Sequence, residues 1–218
     1  MTGGVRAGIL GTEADAHTAS DDNTVLGGGH PPGVLGVDEA IALDDIQRII
    51  AKVTKDWDPP SPRTTPPIVV GGTTLAQAAE QLNKLAEWGE GGGSLRTDPI
   101  AAGNSTNLTV RMHANLVRRL PTWSGYAKAS PAAKAEWDQM VRKLKAHEDR
   151  HVAIAIEEAE QLAKDLVGKE ISDIAQMVTD ANTRMQARQD ELDDAAHTDH
   201  GAKPNVQYGD VNLDITVK

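Results

Sequence analysis

Residues 131–168 read PAAKAEWDQMVRKLKAHEDRHVAIAIEEAEQLAKDLVG, and this stretch decides the fold. Trp137, Met140, Val141, Leu144, His147, His151, Ile154, Ala155 and Leu162 recur at three- and four-residue steps. That spacing puts them on one stripe of a helix. Ser130 stands where an N-cap belongs and Pro131 at the first helical position. Gly168 is placed to end the helix. Two imidazoles therefore fall on the stripe that faces the core, where ionisable groups need partners.

Within the stripe, His147-Glu148-Asp149-Arg150-His151 is an HExxH motif. Residues i and i+4 of a helix sit one above the other, so both imidazoles can reach one ion. Neutral imidazole suits zinc, and a catalytic zinc needs a third protein ligand and an open position for water. Glu148, beside the two histidines, can take a proton from the activated water and pass it to a leaving amine. Hydrogen bonding within the core is the plainer use of the same pair.

The third ligand is open on the residues alone. His197 and His200 lie in a polar segment that a helical hairpin returns to the motif, and Glu170 lies 19 residues after His151. His200 is favoured, because Gly201 gives the backbone room to turn. His113 falls on a strand candidate and reads as structural. Asp193 or Asp194 could orient a ligand imidazole from behind. Tyr126 and Tyr208, the only tyrosines, could support an oxyanion.

Outward from the helix, Ile171 to Leu192 reads as a second helix. Upstream, Leu108-Thr109-Val110-Arg111-Met112 alternates like a strand with one buried face. Ile68-Val69-Val70 is a short strand candidate before Gly71-Gly72. Thr73 or Thr74 then caps a helix running from Leu75 towards Trp88. The spacing of Ile46, Ile49, Ile50 and Val53 predicts a helix over 43–57. Asp58 to Pro67 reads as a linker or extended rim, and Pro121-Thr122-Trp123 as a turn. Val211 to Val217 alternates and reads as a strand. Residues 1–37, rich in Gly, Asp, Thr and Ala, read as a disordered arm, leaving 38–218 as one domain. The expected class is α+β, a small, mainly antiparallel sheet packed on the HExxH helix and a second helix.

Composition narrows the function. The chain has 218 residues, 22 Lys and Arg against 32 Asp and Glu, and a net charge of −10. That balance argues against a nucleic-acid partner. Cys is absent, which excludes disulfides, thiolate metal sites and cysteine nucleophiles. No apolar run reaches the roughly 18 residues of a membrane span. The first 17 residues hold one Arg and a broken apolar stretch, so no secretory signal is recognised there and a cytoplasmic location fits the residues.

Four stretches resemble a bacterial domain family described as predicted secreted zinc-dependent proteases. They are Val69-Val70-Gly71-Gly72-Thr73-Thr74-Leu75, Leu120-Pro121-Thr122-Trp123, the run from Glu136-Trp137-Asp138 through the HExxH, and Thr198-Asp199-His200-Gly201. The resemblance spans about residues 65–202. It implies a zincin-like metallopeptidase with His147, His151 and His200 as zinc ligands and Glu148 as general base. It also implies a protein or peptide substrate and export. The family usually carries Tyr-Asp shortly before Thr-x-His-Gly, where this chain has Leu192-Asp193-Asp194. The expected function is therefore a zinc metallopeptidase. The rivals are a non-catalytic structural or secretion-machine component with a structural or vestigial metal, and an exported effector or toxin.

Overall fold

The computed structural model describes residues 48–57, 62–98, 100, 107–197, 205–209 and 211–217. The arm expected over 1–37 and the Thr198–Gly201 motif, with His200, lie outside the described residues. The class is α+β, as the sequence predicts. Its centre is a long strand, β5 (Asn107–Arg119), whose alternating buried residues Leu108, Val110 and Met112 face the core. β1 (Ile49–Lys55) pairs with the first half of β5 and β2 (Arg63–Thr64) with its end, both parallel. β4 (Glu90–Thr97) runs antiparallel along the opposite edge, from Glu90↔Arg119 to Thr97↔Met112. Two further pairs complete the strands. β3 (Ile68–Val70) lies parallel to β6 (Pro121–Trp123), and β7 (Val206–Tyr208) antiparallel to β8 (Val211–Asn212).

Among the described residues the pairing is mixed rather than mainly antiparallel, because three of the five strand pairs there are parallel. The predicted helix over 43–57 is corrected to β1. Its Ile49-Ile50 and Val53-Thr54 are β-branched, which lowers helix propensity and favours a pleated surface. Burying Ile50 against β5 satisfies that preference. Pro121–Trp123 is a strand rather than a turn, with Pro121 and Trp123 both buried. The C-terminal strand stops at Asn212 instead of Val217.

α1 (Leu75–Leu82) begins at a capping box in which Thr74 and Gln77 bond each other's backbone N–H groups. It ends at Asn83, short of Trp88. α2 (Pro131–Asp165) has the predicted Ser130 cap, with Ser130 Oγ accepting from the Ala133 N–H. α3 (Ile174–His197) runs five residues past the predicted end. No described helix is long and apolar enough to cross a membrane.

The core falls into two clusters joined by α2. The first half of α2 gives Trp137, Met140 and Leu144 to a cluster with α1, Trp88, Trp123 and Tyr208. The second half gives Val152, Ala155, Ala159 and Leu162 to a cluster with β5, Leu95 and the α3 residues Ala181 and Met185. Residues 145–151 belong to neither, so the HExxH turn sits at the seam between them.

Candidate metal centre

On α2, His147 and His151 project from successive turns, and their Nε2 atoms lie 3.0 Å apart. α3 supplies the third group. Asp193 Oδ1 lies 3.0 Å from Nε2 of His147 and 3.0 Å from Nε2 of His151. Among the described residues these three form the one His, Asp and Glu cluster able to hold a metal ion. A tetrahedral set with bonds of about 2.0–2.1 Å has donor atoms roughly 3.3–3.4 Å apart. Three donors at 3.0 Å come within a few tenths of an ångström of that spacing. Two imidazoles and a carboxylate also suit zinc by chemistry.

Glu148 lies between the histidines in sequence and is 2 % exposed. Its Oε1 has no hydrogen-bond partner. Burial, reinforced by the carboxylates of Glu87, Asp193, Glu90 and Asp149, pushes its acid up to about 8. A buried, unpartnered carboxylate among other acids is a place where a cation is stabilising.

Glycines allow the close fit. β4 runs directly against the Glu148 turn. A Cβ at Gly91 would lie 2.4 Å from the Glu148 backbone oxygen and 2.8 Å from its Cα. Only a residue without a side chain fits there. Gly91, Gly92 and Gly93 are strand residues of β4.

Tyr208 stacks on His147, with ring centroids 3.9 Å apart and planes 18° from parallel. It is 3 % exposed. Burial first, and then Glu87, Asp193 and Glu148, push its hydroxyl above the ordinary phenol range. Tyr208 thus fixes the plane of a candidate ligand. Tyr126 sits elsewhere, its hydroxyl donating to Asp138 at 2.8 Å and its ring edge-on to Trp123.

The other candidates separate clearly. Glu170 lies beyond the end of α2, where its backbone bridges to Ile49. The 14 helical residues from His151 to Asp165 cover about 21 Å, which removes Glu170 as a ligand beside His151. His197 ends α3, and its side chain lies outside the described residues. His113 is structural, as expected. Its Nδ1 meets Asp56 Oδ2 and its Nε2 lies 2.7 Å from Asp98 Oδ1, tying the ends of β1 and β4 to β5.

The sequence pattern gives Asp193 a place behind a ligand imidazole, and the fold brings its Oδ1 to 3.0 Å from Nε2 of both histidines. The signal was present. Ala181, Met185, Gln189 and Asp193 follow one another at four-residue steps, and the first three are buried. Extending that stripe carries Asp193 onto the face that meets α2.

Fold and site together define an α+β protein with a two-histidine, one-carboxylate candidate centre borne on antiparallel helices. The chain belongs to a family of bacterial proteins of unknown function, DUF922, whose profile matches residues 68–201. That match takes in α2, α3 and Gly91, and leaves out β1 and the β7–β8 hairpin with Tyr208. No curated protein and no solved structure was found to match the chain.

Proposed function

We propose that this chain is a zinc-dependent metallopeptidase in which His147 and His151 hold the ion and Glu148 is the general base. One observation carries the reading. Nε2 of both histidines and Oδ1 of Asp193 converge at 3.0 Å, beside a buried Glu148 whose Oε1 has no other partner. Asp193 is the third ligand by proximity, and His200 is its rival by resemblance. When bound, zinc supplies a Lewis acid that polarises a peptide carbonyl and makes water acidic enough to attack it.

The residues of the chain do the rest. Glu148 Oε1 takes a proton from the attacking water and delivers it to the leaving amine nitrogen. His147, His151 and Asp193 would hold the dication, whose charge would offset the burial and the acidic neighbours that otherwise keep Glu148 protonated. Tyr208 holds the His147 ring in plane. Gly91 lets β4 close over the Glu148 turn and shield it from water. The family resemblance adds a polypeptide substrate and export to the reading.

The test compares wild type with Glu148→Gln, both loaded with zinc. The variant keeps about one zinc per chain, while cleavage of a denatured protein mixture falls by about 10²- to 10⁴-fold. Equal cleavage by both proteins, or a wild type that takes up no zinc, overturns the proposal. Zinc affinity of Asp193→Asn and His200→Ala, measured against a competing chelator, assigns the third ligand to whichever variant loses more.

A further inference from the structure

A cleft of about 580 Å³ opens beside the candidate metal centre. His147 and Tyr208 line it together with Gln139, Arg142, Lys143 and Val211, among others. Its charge is opposite to that of the centre. Asp193 on α3, Glu90 at the start of β4 and Glu87 just before it make that side acidic. Arg142 and Lys143 make the side towards the start of α2 basic.

Arg142 also differs from most of the other described arginines. In a chain of net charge −10, Arg96, Arg118, Arg150, Arg184 and Arg188 are all paired with carboxylates. Among the described residues Arg142 has no acidic partner, and it is exposed at the cleft. A guanidinium presents donors in a planar fork that fits a carboxylate.

We infer that this cleft is a substrate subsite that binds a carboxylate of the polypeptide through Arg142 and Lys143. The inference rests on the proposed peptidase and narrows its substrate class. Arg142 stands five positions before His147 on α2, about 7.5 Å along the axis and about 140° around it, and both side chains line the cleft. An extended peptide advances about 3.3 Å per residue. The carboxylate therefore belongs to a residue within two or three positions of the cleaved bond. It is either an acidic side chain or the free C-terminus.

The test uses three mixtures of ten-residue peptides that are otherwise random in neutral residues. One carries a central Glu and an amidated C-terminus. The second carries Gln there with a free C-terminus, and the third carries Gln with the amide. Binding to zinc-loaded Glu148→Gln protein is read by equilibrium dialysis and mass spectrometry, so no turnover is needed. Cleavage by zinc-loaded wild type is read in parallel.

One of the first two mixtures is expected to bind about tenfold better than the third, as a charge-assisted pair implies. Which of them it is names the source of the carboxylate. Arg142→Gln, checked for folding by its thermal midpoint, brings that ratio to about one. Equal binding of all three mixtures, or a preference that survives Arg142→Gln, overturns the subsite. If wild type then cleaves the peptides, the peptidase stands without the subsite. If a carboxylate preference is found and nothing is cleaved, the peptidase fails and the anion site stands.

Discussion

Glu148 should destabilise the metal-free protein at neutral pH, and replacing it should reveal by how much. Its acid titrates near 4.5 in an unfolded chain and is raised to about 8 in the fold. A raised folded value stabilises the fold below the unfolded pKa, and that contribution is lost as pH rises through the folded pKa. The window is therefore pH 4.5 to 8. Across the whole window the loss is 3.5 units at 1.36 kcal/mol each, about 5 kcal/mol. At pH 7 the folded group is still mostly protonated while the unfolded one is ionised. The loss there is 2.5 units, about 3 kcal/mol.

Glu148→Gln has nearly the same shape and no ionisation. In excess chelator its urea unfolding free energy should exceed that of wild type by about 3 kcal/mol at pH 7. Near pH 4.5 the two proteins should almost coincide. Taking the difference between them cancels the other carboxylates. Parallel stability curves from pH 4.5 to 8 would refute the argument, because they would mean that Glu148 is solvated or already paired in the fold.

Gly91→Ala puts a Cβ 2.4 Å from a backbone oxygen, which cannot rotate away. It should cost about 1–3 kcal/mol by urea unfolding, whereas Gly71→Ala, with nothing within 4 Å of its Cβ, should stay within about 0.5 kcal/mol. Equal costs would show that β4 does not pack on the Glu148 turn. Tyr208→Phe keeps the stack on His147 and should keep zinc affinity, while Tyr208→Ala should weaken it about tenfold in a chelator competition, the size expected of a residue that only orients a ligand. Affinity lost in Tyr208→Phe instead would assign the hydroxyl a direct role. His113→Asn removes the ring between Asp56 and Asp98 and should destabilise by about 1–3 kcal/mol, with zinc content unchanged; a variant that cannot load zinc would contradict the structural role given to His113.

The helix and the place of its candidate site were legible because one pattern served both. The stripe from Trp137 to Leu162, the Ser130 cap and the HExxH all name the same face, and α2 runs where they place it. The Thr74 cap and β5 were legible for similar local reasons. What escaped was decided by partners distant in sequence. Ile49-Ile50 and Val53 fit a helical spacing, yet β5 captures them as β1. Gly91-Gly92-Gly93 has almost no strand propensity, and its place in β4 follows from the approach to Glu148. Asp193 stands in an acidic run with Asp190, Glu191 and Asp194, so its own neighbours do not single it out. Only the length of α3 turns it towards the histidines.

The seam between the two cores gives a reason for where the candidate site sits. A buried, unpartnered Glu148 opposes folding, and a site built from such groups has to be held by something else. α2 is anchored by Trp137, Met140 and Leu144 before the motif and by Val152, Ala155, Ala159 and Leu162 after it. The polar turn between these anchors cannot relax towards water without unpacking one of the clusters. α3 is tied down as well, because Asn182 bonds both the N–H and the carbonyl of Leu95 on β4 at 2.9 Å. That fixes the register of α3 eleven residues, about three turns, before Asp193. The strand that carries Gly91 is thus the strand that sets the position of Asp193, so a shift of β4 would disturb Glu148 and Asp193 together.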